Sequence, residues 1–286
     1  MFKEIRREEA FLGVTGGYPE SRVVLVGAGL DATVCFRPGT REGPRTIRYF
    51  SKCLEEYSPH LDRDLREANF CDLGDVDLPF GDVPNALDRI ERAAEIIVSD
   101  EKIPVFIGGE HLITLPLIKA VSKRYRDVAV LHLDAHADLR DEYLGVRLSH
   151  ASVMRRVSEM LGPGCVYQFG IRSVDKPEVS FACNHTKLYF GKVYEPLAAV
   201  SSEIGGRPVY ITLDLDVVDP AYAPGVGTPE PGGISSGELL ETVYLFERFQ
   251  VVGFDLVEVN PVCDPGGLAP LLAAKILREI TLLLAR

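Results

Sequence analysis

Asp134, His136 and Asp138 stand at alternate positions in the segment Leu131-His-Leu-Asp-Ala-His-Ala-Asp138, directly after the apolar run Val128-Ala-Val-Leu131. That run reads as a buried strand. A strand continued through the motif would set Asp134 and Asp138 roughly 13 Å apart, at about 3.3 Å per residue, too far to share an ion. The chain must therefore leave the sheet at Asp134 and curl, so that three side chains converge at the strand's carboxyl end. A polar loop capping the next helix would account for one such cluster. Two more are present: Gly108-Gly-Glu-His111 closes the strand Ile103-Pro-Val-Phe-Ile107, and Leu213-Asp-Leu-Asp216 closes Val209-Tyr-Ile-Thr-Leu-Asp214. Taken alone, Asp214 and Asp216 could equally be a turn cap.

Together His111, Asp134, His136, Asp138, Asp214 and Asp216 offer two histidines, four carboxylates and no thiolate, a palette for hard or borderline divalent ions such as manganese. Six side chains are too many for one ion that also keeps an open position. Two ions roughly 3.5 to 4 Å apart, bridged by carboxylates and one water, fit the number, and that water would be acidified to a hydroxide nucleophile at neutral pH. The expected cofactor is two Mn2+ per chain.

The elements that must position these groups alternate regularly. Eight candidate strands, at 22–27, 69–73, 103–107, 128–133, 165–170, 187–190, 209–214 and 251–257, are interleaved with helices beginning near Pro44, Asn85, Leu112, Ser149, Ser235 and Leu268. The pattern predicts an α/β fold, a three-layer α/β/α sandwich with a mainly parallel sheet of about eight strands. In open sheets of this kind ligands bind at the carboxyl edge. Pro116 is tolerable in its helix only within the first turn. Gly27-Ala-Gly29-Leu-Asp-Ala32 matches a dinucleotide-binding fingerprint after a strand. However, Pro38, Gly39, Gly43 and Pro44 deny the helix that fingerprint must open, and the acidic residue due about 20 positions later is missing. The Pro/Gly-rich segment 220–233 reads as a long loop beside Asp214 and Asp216, and long ordered loops are usually functional.

At 286 residues, without low-complexity runs, repeats or a flexible hinge, the chain is expected to form a single domain, 1–286. A net charge of −11 argues against a nucleic-acid partner and favours cationic ligands. The charged start and the absence of an apolar run of about 18 residues predict a soluble cytoplasmic protein with no membrane partner. The six cysteines, at 35, 53, 71, 165, 183 and 263, include no CxxC pair and are expected to be reduced core residues. Four Asn, two Gln and three Met suggest a thermophilic source.

Gly109-Glu-His111, Asp134-Ala-His-Ala-Asp138, Ser149-His150, Asp214-Leu-Asp216 with Asp219-Pro220, Gly227-Thr-Pro229 and Glu258-Val-Asn-Pro261 resemble, in order, the signature segments of the ureohydrolases, the arginase and agmatinase family. Arg37-Pro-Gly-Thr-Arg-Glu-Gly-Pro44 is similar to that family's N-terminal loop, so the resemblance covers nearly the whole chain. It implies a binuclear manganese site, hydrolysis of a guanidine to urea and an amine, and assembly into trimers or hexamers. By position, it assigns His111 and Asp138 to one ion, His136 and Asp216 to the other, and Asp134 and Asp214 to both. Glu258 matches the carboxylate that pairs with the substrate guanidinium, and His150 the histidine proposed to shuttle a proton to the leaving amine. With the ligand Asp138, these two are the expected catalytic residues. Ala151 stands where the family usually has glycine, so the helix entry is expected to differ.

A two-metal phosphoesterase would use the same ligands but would want Arg or Lys about the open position, where Asp141, Glu142 and Glu258 are found instead. A non-catalytic homologue should have lost ligands, and all six are present. Between Asp138 and His150 the loop contains no Asn and, before Ser149, no Ser for an α-carboxylate. Asp141 and Glu142 there, with Asp175, which matches a family residue meeting the substrate amine, would attract an ammonium. The resemblance also puts Thr228 at the substrate. The expected substrate is therefore a small cationic guanidine, agmatine before arginine, with aminopropylagmatine and guanidinobutyrate as alternatives.

Overall fold

A computed structural model describes residues 2–285. Its strands are β1 (Ile5–Arg6), β2 (Val23–Ala28), β3 (Tyr57–Ser58), β4 (Arg63–Asp64), β5 (Phe70–Val76), β6 (Ile103–Gly108), β7 (Ala129–Leu133), β8 (Val166–Ile171), β9 (Thr186–Phe190), β10 (Pro208–Asp214) and β11 (Gln250–Val257). The helices are α1 (Gly43–Ser51), α2 (Val83–Ser99), α3 (Thr114–Arg124), α4 (Val153–Leu161), α5 (Lys176–His185), α6 (Tyr194–Ile204), α7 (Ser236–Leu245) and α8 (Leu268–Leu284).

Nine strands form one sheet in the order β1-β5-β2-β6-β11-β10-β7-β8-β9, and β3 and β4 form a separate small hairpin. Eight of the nine are mutually parallel, at the eight positions expected. The ninth, β1, runs antiparallel on the edge of β5 and was not anticipated. Its two residues lie in a charged stretch with no alternation to read.

Side chains of one strand alternate between the two faces, so each face builds its own core. Val23 and Leu25 of β2 and Leu131 and Leu133 of β7 join Ile47, Leu197, Val243 and Leu277, placing α1, α6, α7 and α8 on one side. Val24, Val26 and Val130 join Ile90, Leu117, Val157 and Ala182, placing α2, α3, α4 and α5 on the other. Both faces of β2, β7 and β8 are buried, which is why these strands read as apolar runs, interrupted only by His132 in β7 and Gln168 in β8.

Local chemistry sets the helix starts. Asp82 caps α2 through the Asn85 N–H at 3.2 Å, Ser235 caps α7 through Glu238, and Pro116 falls in the first turn of α3. Helices α5 and α6 were not among those expected. For α5 the signal existed: Asp175 and Glu178 cap each other's backbone N–H in a capping box, with Pro177 in the first turn. The glycines of the dinucleotide-like segment serve packing, since a Cβ on Gly29 would meet the Arg41 carbonyl oxygen at 2.7 Å.

Register brings the chemistry to one edge. Ile107 of β6 pairs with Leu256 of β11, Val257 with Asp214 of β10, and Leu213 with Leu133 of β7, so four neighbouring central strands end level. The residues that follow them are His111, Glu258, Asp216 and Asp134.

Candidate metal centre and active site

His111, Asp214 and Asp216 are each fixed by a hydrogen bond on one side of the cluster. The ring of His111, 1% exposed, sets Nε2 at 2.9 Å from the Thr212 hydroxyl. Thr212 spends its own proton on Asp255, at 2.6 Å, and Asp255 is further fixed by Tyr210 and Thr114. Thr212 therefore accepts from Nε2–H, and His111 Nδ1 keeps a lone pair. That nitrogen makes no hydrogen bond, yet Asp134 Oδ2, Asp214 Oδ2 and Asp138 Oδ2 lie 3.0, 3.2 and 3.4 Å from it. A buried lone pair facing three carboxylate oxygens is a cation position.

The second position is built the same way. His136 Nδ1 lies 2.9 Å from Asp216 Oδ2 and 3.4 Å from Asp134 Oδ1. Asp216 Oδ1 accepts the Ala135 N–H, while its buried Oδ2 has no hydrogen-bond partner. Asp214 Oδ1 accepts the Asp216 N–H, and Asp134 Oδ1 accepts that of His136. Two groups that could each hold an ion result, one with His111, His132, Asp134 and Asp138, the other with Asp134, His136 and Asp216. Asp134 belongs to both. Asp138 turns into the first by adopting φ 54, the curl that the motif required.

The charge balance agrees. Burial first, then the charge of Asp134, pushes Asp138 well above the usual carboxylate range. Burial, then Asp216 and Asp134, does the same to Asp214. Four carboxylates buried this closely cannot all ionise without cations among them. The residues present therefore fit two hard divalent ions.

Glu258 and His150 flank this cluster. Glu258, at φ 64, directs Oε1 to the His111 N–H at 2.8 Å, and its Oε2 borders Gly227. Burial, opposed by the His111 N–H and reinforced by Glu110, raises it to about 8. His150 opens the turn preceding α4, capped by Ser149 and Ser152, with Ala151 accommodated in that same turn. Burial first, then the charges of His111 and His136, holds the His150 ring down at about 4, so it rests neutral.

The arginase family model matches residues 21–283. The chain belongs to the arginase family. It is 46% identical to the agmatinase of Bacillus cereus over 284 residues, 98% of either chain. It is likewise 46% identical to the agmatinase of Bacillus subtilis over 285 residues, again 98% of each. Among solved structures, a proposed agmatinase from Clostridium difficile superposes with a TM-score of 0.92 at 41% identity, covering 94% of this chain and 99% of that one.

This arginase-family chain departs from expectation at the substrate end of the site. Asp141 does not offer a free negative charge: it is surrounded by Arg156 at 2.9 Å, Arg147 at 3.5 Å and Arg155 at 3.9 Å, and Arg156 foremost holds its carboxyl below the usual range. Asp175 caps α5 with Oδ1 and pairs through Oδ2 with Arg140 at 2.8 Å. Glu142 is exposed and Thr228 half-buried in the 220–233 loop. The loop after Asp138 turns back on itself between Tyr143 and Val146, through Leu144 and Gly145, both at positive φ, and rests Tyr143 edge-on against His150.

The cysteines are all free, but only Cys71 is fully buried; Cys35, Cys53 and Cys183 are exposed, because they sit in loops or at a helix end. Residues that the sequence reading passed over include His132, which lies within the motif itself. Gln168 donates its amide N–H to the Ala137 carbonyl and to His132 Nδ1, so His132 Nε2–H donates to Asp134 Oδ2 at 2.8 Å. Asp255 was passed over as well. A carboxylate inside the apolar strand Val252-Gly-Phe-Asp-Leu256 was the signal that could have found it.

Proposed function

We propose that this chain is an agmatinase-type ureohydrolase that cleaves the guanidine of agmatine to urea and putrescine at a binuclear manganese centre. The observation that carries the reading is the unpartnered His111 Nδ1 facing three carboxylate oxygens, repeated one ligand away at Asp216 Oδ2. Agmatine in particular is supported by near full-length similarity to agmatinases. On this reading His111 and Asp138 would hold one ion and His136 and Asp216 the other, with Asp134 and Asp214 contributing between them. When bound, the ions supply Lewis acidity and bring the pKa of water into the neutral range.

The remaining roles belong to side chains. The substrate guanidinium lies along Glu258, whose Oε2 borders Gly227 and whose Oε1 retains a second lone pair after accepting from His111. A guanidinium there restores the ionised form that burial disfavours. Neutral His150 accepts the proton released by the attacking water and gives it to the amine nitrogen as the guanidine C–N bond breaks, since the amine cannot leave as an anion. Asp138 acts in the chemistry as a ligand. Recognition of the ammonium of agmatine falls to Glu142 and Thr228, since Asp141 and Asp175 are both engaged by arginines. Seven pairs of adjacent parallel strands across one sheet support a single domain, and the family resemblance supports trimers or hexamers. Among the described residues no helix is long and apolar enough to cross a membrane.

The test is urea release by the manganese-loaded protein, with kcat/KM compared for agmatine, aminopropylagmatine, arginine and guanidinobutyrate. A preference for arginine or guanidinobutyrate would remove the agmatine assignment. Phosphate release from a model ester without urea release would remove the ureohydrolase one.

A further inference from the structure

Glu110 is 0% exposed and lies beside the metal cluster, yet its carboxylate turns away from it. Oε2 accepts the N–H groups of Ala32 and Thr33, both at 2.7 Å, and Oε1 accepts the Thr33 hydroxyl at 2.8 Å. The approach is built in. The Glu110 N–H donates to the Leu30 carbonyl at 2.7 Å, and a Cβ on Gly109 would fall 1.9 Å from that same oxygen, so only glycine lets the two loops meet.

The other side of Thr33 faces His150. The His150 backbone N–H donates to Thr33 Oγ1 at 3.1 Å, and His150 Nδ1 lies 3.2 Å from it. A hydroxyl has one proton and two lone pairs. With the backbone N–H taking one lone pair, the proton must go either to Glu110 or to the ring. The carboxylate oxygen is nearer and is the stronger acceptor. The remaining lone pair can then only accept, which requires the ring proton to be on Nδ1.

We infer that Thr33, oriented by Glu110, is a positioning residue that holds His150 as the Nδ1–H tautomer and so presents Nε2 as the nitrogen that exchanges the proton. The inference rests on the ureohydrolase reading for the shuttle but not for the tautomer. Nε2 faces the opposite way from Thr33, with the Cys35 thiol 3.6 Å from it. As His150 takes up the proton released by the attacking water, that O–H bond breaks and an N–H bond forms at Nε2; the ring keeps its Nδ1–H donated to Thr33, and the Nε2–H bond breaks when the proton passes to the departing amine.

Two measurements test this. Thr33→Val should lower kcat for agmatine about ten- to a hundredfold, with KM and bound metal unchanged, because the ring is no longer held in orientation. Thr33→Ser, which restores the hydroxyl, should recover most of that loss. Independently, 15N spectra of the histidine-labelled protein loaded with a diamagnetic divalent ion should show His150 Nδ1 protonated and Nε2 not, with His150→Asn supplying the assignment. Wild-type kcat in Thr33→Val, or a protonated Nε2 in the unsubstituted protein, would overturn the inference. Should Thr33→Val fail to fold, the tautomer decides alone. A protein that releases no urea yet shows the Nδ1–H form would fail the functional reading and keep this one.

Discussion

At the residue scale the distinction that matters is between side chains that hold charge and those that move it. His150 has no carboxylate among its hydrogen-bond partners and rests neutral, whereas His136 lies against Asp216 and Asp134, which raise it despite burial. His150→Asn should therefore lower kcat by about two orders of magnitude or more with metal content intact. Glu258→Gln should damage KM as well as kcat, since the guanidinium loses its partner before and during reaction. Steady-state kinetics beside metal analysis separate the two, and equal KM values in both variants would count against the assigned roles. His132 belongs to the first group, but both its ring nitrogens are engaged, by Gln168 and Asp134, so it would act on a bound ion through Asp134. His132→Phe should weaken metal binding about 10- to 100-fold, read by titration, while sparing kcat at saturating manganese. The six residues of the cluster were legible because carboxylates and histidines ending apolar runs stand out. His132, Thr212 and Asp255 were not, since a polar residue inside a strand declares itself only when its cross-strand neighbour is known.

At the element scale the loop between Asp138 and α4 decides how the mouth is charged. Read along the chain, Asp141 and Glu142 are an acidic pair. In space α4 returns Arg155 and Arg156 beneath Asp141, and Arg147 closes in from the loop itself. Such pairing depends on how the chain folds back, which spacing in sequence does not encode. Asp141→Asn should consequently leave kcat/KM for agmatine within about twofold, exposed pairs of this kind being worth little. A tenfold loss would return Asp141 to the substrate. The eight parallel strands were readable from short, largely apolar runs, and α5 was readable from its capping box. The edge strand β1 and the order of the sheet were not, because both are set by partners distant in the chain.

For the whole molecule the buried carboxylates link stability to metal and to pH. Removing ions held at a hundredfold over their dissociation constant costs about 2.7 kcal/mol for each site, so chelation should lower Tm by about 5 °C or more. A carboxyl raised in the folded chain keeps a proton that the unfolded chain releases first. Its contribution is present at low pH and lost as the pH rises through the folded value. With Glu258 at about 8 and Asp138 and Asp214 well above the usual range, the chelated protein should melt higher at about pH 6.5 than at about pH 8.5. This window lies above the one in which His150, held low, acts in the opposite sense. Manganese should abolish or reverse the difference, and an identical pH trend with and without metal would refute the linkage. The strand order also governs how the chain is born. The last strand, β11, lies between β6 and β10, so until the ribosome has released residue 257 the sheet exists at most as two halves, β1-β5-β2-β6 and β10-β7-β8-β9. Each half has a long open edge of the kind that invites pairing with other chains. The metal position at His111 draws on both halves, since His111 follows β6 while Asp134 and Asp138 follow β7, so it is completed only when β11 joins them.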